Sequence, residues 1–187
     1  ADLDLTPEYS VDVLVVGGGG AGCASALHAH AQGANVLLAT KLRLGDSNSV
    51  MAQGGMQIAV APDDSPVQHF LDTLKGGHMK NDHELLKVMV EEGPSIAKWL
   101  LELGVLFDRD ADGNLHVKKG GGSSKARLLT CSDYTGLEIM RVLKDEVVIE
   151  TARREATALV TADPDLSGHP ELALEIALLL DEEQEAY

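Results

Sequence analysis

Residues 11–22 read Val-Asp-Val-Leu-Val-Val-Gly-Gly-Gly-Gly-Ala-Gly, and they constrain the fold more than any other stretch. Apolar residues interrupted only by Asp12 predict a short buried strand, and the Ala-rich run behind them predicts a helix. Gly17, Gly19 and Gly22 stand between the two at G-x-G-x-x-G spacing. Each has its own steric task. Gly17 permits the tight turn, Gly19 lets a pyrophosphate approach the backbone, and Gly22 lets the helix pack against the strand. A helix starting near Gly20 then turns backbone N–H groups and a partial positive charge toward the phosphates. Gly17, Gly18, Gly19, Gly20, Ala21 and Gly22 are therefore the first candidate binding residues. A glycine triplet also suits an ordinary turn; the strand before it and the helix after it favour a dinucleotide.

The pattern continues as a βαβ unit. A helix is expected over Ala21 to Gln32, ended by Gly33. Asn35 to Ala39 reads as a second strand, apolar enough for burial on both faces as in a parallel sheet. Dinucleotide folds commonly end this strand with Asp or Glu for a ribose hydroxyl. Here it ends Ala39-Thr40-Lys41. The following segment, Leu44 to Met56, is rich in glycine and small polar residues, a composition that wraps amides and hydroxyls around a polar ligand or forms a plain surface loop.

Composition narrows the classes. At 187 residues the chain is one domain or slightly more, and 44% hydrophobic content suffices for a core. Aromatic residues make up only 3%, which leaves few large rings for core or pocket. A net charge of −15 argues against a nucleic-acid surface, which needs clustered Lys and Arg, and reads as solubility. Cys23 and Cys131 are expected as buried free thiols, which favours a reducing compartment. No apolar run reaches membrane-spanning length and no signal peptide precedes the first strand, so a cytoplasmic location is expected.

The glycine turn, the strand ending in Thr40-Lys41, and Ser47-Asn48-Ser49 followed by Ala52-Gln53-Gly54-Gly55 together resemble one family. It comprises the flavoprotein subunits of succinate dehydrogenase and fumarate reductase, with L-aspartate oxidase. The resemblance continues through Asp72-Thr73-Leu74-Lys75-Gly76-Gly77, Leu103 to Asp108, Gly120-Gly121-Gly122-Ser123 and Asp133-x-Thr135-Gly136, covering residues 9 to 147. It implies FAD as cofactor. Thr40, Lys41, Ser47, Asn48, Ser49, Ala52, Gln53, Gly54 and Gly55 join the glycine turn as cofactor-binding residues. Respiratory members carry a histidine, bonded covalently to the flavin, where this chain has Asn48, so the resemblance implies non-covalent FAD. It also implies hydride transfer to or from a dicarboxylate and an iron–sulfur partner subunit. The family's catalytic residues lie beyond the matched region, and none is assigned here; Arg127, expected in a loop, and Arg141, on a surface helix, do not replace them.

The remaining elements read as scaffold. A helix is expected over Pro66 to Lys75, burying Val67, Phe70, Leu71 and Leu74. Asn81 or Asp82 can cap a second helix with Leu85, Leu86, Met89 and Val90 on its apolar face. Pro94 suits the first turn of a third, burying Ile96, Ala97, Leu100 and Leu101, with Trp99 in the core. Asp133 can cap a helix from Tyr134 to Glu146 that buries Leu137, Met140 and Leu143. Asp108 to Asn114 imitates the start of a calcium loop, but Lys119 stands where a bidentate Glu is required, so a turn between two short strands is expected. The seven histidines lack metal-ligand spacing, and no metal is assigned.

After Val147 the expected return strands give way to an amphipathic helix opening at Val148, a turn-rich joint at Asp163 to Pro170, and a helix from Glu171 to Tyr187. This tail resembles the carboxyl end of branch-migrating DNA helicases of the RecG type. The expected fold is α/β: an incomplete Rossmann-like, three-layer FAD-binding fold over residues 1–147, with a helical hairpin over 148–187 that could be a fused segment. Two functions stay open at this level. One is the FAD-binding region of a fumarate reductase or succinate dehydrogenase type flavoprotein; the other is a non-enzymatic module or chimera whose dinucleotide loop is a relic.

Overall fold

A computed structural model of the chain describes residues 10–153 and the strand at 159–161. In chain order the elements are β1 (Val13–Val16), α1 (Gly20–Ala31), β2 (Val36–Thr40), a 3-10 turn (Asn48–Met51), β3 (Met56–Gln57), α2 (Pro66–Gly76), α3 (His83–Glu102), β4 (Val117–Lys119), β5 (Ala126–Leu129), α4 (Thr135–Arg153) and β6 (Leu159–Thr161). They divide into two compact units, one holding residues 1–47 with 143–187 and the other 48–142.

The first unit is built on a parallel sheet ordered β1-β2-β6. Val13 pairs with Val36 and Val16 with Ala39, while Leu38 pairs with Leu159 and Thr40 with Thr161. Read from the far edge this is the 3-2-1 half-sheet of a dinucleotide-binding fold. Val36, Leu38 and Thr40 are buried on one face of β2, and Val36 and Leu38 line a small cavity with Ala26 and Leu27 of α1 and Val147 of α4. Leu37 and Ala39 are half-buried on the opposite face, and Leu14 and Val16 of β1 are exposed there at 58% and 80%.

The tail departs from expectation at its start. Val148 does not open a helix; it lies in the closing turns of α4, which runs unbroken to Arg153. The parallel strand β6 then joins the free edge of β2, a return strand that local sequence does not disclose. Three residues give too short a pattern to register as a strand until a buried neighbour supplies its ladder. The joint at 163–170 and the helix at 171–187 lie outside the described residues.

The second unit has an antiparallel sheet ordered β3-β5-β4, with Met56 opposite Leu129 and Val117 opposite that same residue on the other edge. Helices α2 and α3 form its helical part, each started by a side chain. Ser65 Oγ accepts from Gln68 N at 3.1 Å, and Asp82 Oδ1 accepts from Leu85 N at 3.0 Å.

Helix α3 runs straight through Pro94, where a new helix was expected. An internal proline costs about 3 kcal/mol. Leu86, Val90, Ala97 and Leu100 are all buried along one stripe, and each large side chain contributes about 1.5–3 kcal/mol. Continuity of that stripe wins. Leu85 and Met89 are exposed rather than buried, and Trp99 is half-buried. Helix α2 is rotated against expectation: Val67 and Leu71 are exposed at 70% and 53%, while His69 is buried. Its orientation is set by charge, because Asp72 on the same face pairs with the buried Arg127. Arg127 itself lies in β5 and not in a loop, fully buried. In α4, Met140 and Leu143 are buried as expected but Leu137 is half exposed.

Candidate functional site

The glycine turn joins β1 to α1 within the first unit. Gly17 adopts φ +120°, a conformation open to glycine, and its N–H donates to Ala39 O at 2.7 Å. Gly19 occupies the N-cap of α1 with extended backbone, φ −83° and ψ −175°. Unlike α2 and α3, α1 has no side-chain cap, and no acidic residue stands in its first turn. A helix start without a carboxylate cap carries a partial positive charge that suits an anion. A β-carbon on Gly22 would overlap the Gly17 carbonyl oxygen, so the third glycine is what lets helix and turn touch.

Thr40 and Gly18 meet at the end of β2. A β-carbon on Gly18 would stand 2.9 Å from Thr40 Oγ1 and 3.1 Å from its Cβ, and Thr40 is itself buried. Gly18 O accepts from Gly45 N at 3.3 Å, drawing the loop after β2 back over the turn. Lys41 is exposed and Ser47 Oγ bonds only weakly, at 3.5 Å, to Gly45 O.

The second unit contains the rest of the expected loop. Asn48 is exposed and opens the 3-10 turn; Ala52, Gln53 and Gly54 are also exposed. Their main chain is nevertheless fastened. Gly136 N donates to Ala52 O at 2.7 Å and Thr135 Oγ1 to Gln53 O at 3.3 Å. A β-carbon on Gly136 would overlap Ser49 O, and one on Gly55 (φ +97°) would overlap Leu129 O. Thr135 and Gly136 thus belong to the support of this loop. The Asp133-x-Thr135-Gly136 motif contains them, but nothing in its spacing ties them to residues eighty positions earlier.

The chain matches the family model described as FAD binding domain over residues 12–170. It is 37% identical over 168 residues to a subunit of the fumarate reductase (CoM/CoB) of Methanothermobacter marburgensis, covering 86% of this chain and 31% of that one. L-aspartate oxidase of Streptomyces coelicolor is 36% identical over 152 residues, covering 81% and 26%. The Sdh1 complex of Mycobacterium smegmatis superposes with a TM-score of 0.77 at 33% identity, covering 82% of this chain and 28% of that chain. The chain belongs to this FAD-binding family. It spans about a third or less of the length of these relatives.

The residues present fit FAD by their own geometry. Helix α1 starts without a side-chain cap directly behind a glycine turn, an arrangement suited to a phosphate, and Gly22 is the residue that lets helix and turn meet. The two cysteines are not poised for redox chemistry. Burial raises the Cys23 thiol to about 11, and burial, helped by Glu138 and Asp108, raises Cys131 equally. Among the described residues no group of three or more His, Cys, Asp or Glu side chains is placed to hold a metal, and no helix is long and apolar enough to cross a membrane. Asp108 to Asn114 forms a turn: Asp110 Oδ1 accepts from Asp112 N and Asn114 N, and Arg109 pairs with Leu115 across it.

Proposed function

We propose that the chain binds FAD non-covalently and serves a flavin-dependent oxidoreductase of the fumarate reductase or L-aspartate oxidase type. Gly17 to Gly22 take the pyrophosphate, Thr40 and Lys41 lie toward the adenosine ribose, and Ser47, Asn48, Ser49 and Ala52 to Gly55 take the remainder of the cofactor. The observation that carries this reading is the glycine turn packed against the start of α1 so closely that Gly22 tolerates no β-carbon, with no side-chain cap on Gly19. Bound FAD supplies a two-electron acceptor, and the protein's part is to hold and orient it. Asn48 has no imidazole to bond to the flavin. We further infer a dicarboxylate substrate and an iron–sulfur partner, readings supported by the resemblance to the fumarate reductase family, and a cytoplasmic location as expected from the sequence; no catalytic residue of this chain is assigned to the substrate.

Acid precipitation of the FAD-loaded chain tests the mode of binding. Yellow flavin is expected in the supernatant with a colourless pellet. Flavin retained in the pellet would contradict the role given to Asn48.

A further inference from the structure

Asp108 heads the calcium-like run, yet its carboxylate turns away from that run and toward the segment before α4. Asp108 Oδ2 accepts from Thr130 Oγ1 at 2.6 Å and Oδ1 from Ser132 N at 2.9 Å, while its own N–H donates to Thr130 O at 2.7 Å. Lys118 Nζ adds a bond to Oδ2 at 3.1 Å. The gripped segment is strained: Ser132 adopts φ +50°, a left-handed conformation uncommon for a residue with a side chain. Strain of this kind persists where surrounding contacts over-determine it, and it clusters at ligand sites.

That segment is the wall behind the flavin loop. Leu129 O and Thr130 Cγ2 close on Gly55, the latter 2.8 Å from where a β-carbon would stand. Cys131 N donates to Thr135 Oγ1 at 3.1 Å, and Thr135 Oγ1 in turn donates to Gln53 O. Gly136 N holds Ala52 O. Ala52, Gln53 and Gly55 are thus each met by residues 129–136, and within that segment Thr130 and Ser132 are bonded by Asp108.

We propose that Asp108 is a positioning residue for FAD, acting through the left-handed turn at Ser132 to hold the Ala52–Gly55 loop in its binding shape. This rests on the reading that this loop contacts the cofactor. The carboxylate suits the task. Hydrogen bonds from Thr130 and Ser132 outweigh burial and hold its pKa below the ordinary value, so it stays ionised and accepting.

The test is a set of FAD dissociation constants, read from quenching of flavin fluorescence. Asp108→Ala removes both acceptors and is expected to weaken FAD at least about tenfold while far-UV circular dichroism stays native. Asp108→Asn keeps an oxygen for Ser132 N and should lose less. Adding Ser132→Gly to Asp108→Ala is the decisive arm, because glycine takes φ +50° unaided and most of the lost affinity should return. A purely structural aspartate would give no such rescue. Wild-type affinity in Asp108→Ala, or no recovery in the double variant, overturns the proposal. A wild-type chain that takes up no FAD overturns the reading beneath it instead.

Discussion

Arg127→Ala is expected to destabilise the unit formed by residues 48–142 severely. The Arg127 guanidinium donates from Nε to Asp64 Oδ2 at 2.8 Å and from Nη2 to Asp64 Oδ1 at 2.9 Å, and Nη2 stands 3.0 Å from Asp72 Oδ2. The Arg127 and Asp64 side chains are both 0% exposed. Removing the cation strands the buried Asp64 carboxylate in a medium that solvates charge poorly and takes from Asp72 its cation, a loss of about 3–5 kcal/mol. Small domains are stable by roughly 5–15 kcal/mol in total, so this is a large share. Urea unfolding followed by circular dichroism checks it. Arg127→Lys should recover little, because an ammonium cannot span both oxygens of Asp64 while reaching Asp72. An unchanged unfolding midpoint in Arg127→Ala would show that this network contributes nothing.

The same network sets a pH response. Burial pushes the Asp72 pKa up, but bonds from the Ser124 N–H and hydroxyl and from Gln68, with the charge of Arg127, bring it below the ordinary value. Asp108 is lowered too. For a carboxylate lowered on folding, the stabilisation is present above its unfolded pKa of about 3.9 and is lost as pH falls through the lower folded value. The urea midpoint of the wild type is therefore expected to drop with pH below about 4.

Gly22→Ala carries the second large effect, on the other unit. One added methyl group meets the Gly17 carbonyl oxygen and lies 2.8 Å from its carbon, so the neighbour is backbone that cannot swing aside. Either α1 lifts from the turn or the turn opens, and both would spoil the proposed phosphate cradle. Overpacking of this kind costs about 1–3 kcal/mol of stability. FAD affinity should fall about a hundredfold or more, since displaced amides lose their aim at the phosphates. Isothermal titration with FAD measures it, and near-normal affinity would mean that the close contact has no bearing on binding.

How much of the molecule is legible in its sequence depends on what kind of force decides each feature. The turn at Gly17 to Gly22 is readable because hard-sphere contact leaves few residues able to occupy it. The strands at 13–16 and 36–40 follow from plain apolar runs. Helix α2 defeats a local reading because its buried face is chosen by Asp72 reaching Arg127, an ion pair between residues 55 positions apart that no local periodicity encodes. Pro94 looks like a boundary because its missing N–H is a local loss, whereas the stripe from Leu86 to Leu100 that overrides it is a tertiary gain. Asp108 and Thr135 escape for the same reason: each acts on a main chain brought beside it only by the fold.

The most direct measurement is FAD uptake by Gly19→Val beside the wild type. Gly19 has extended backbone that valine adopts freely, so the substitution adds bulk at the proposed approach of the pyrophosphate without requiring a change of backbone conformation. The wild type should bind FAD and Gly19→Val should stay colourless at saturating FAD, with the same far-UV circular dichroism. Equal flavin uptake by the two chains would contradict the placement of the cofactor phosphates at this turn.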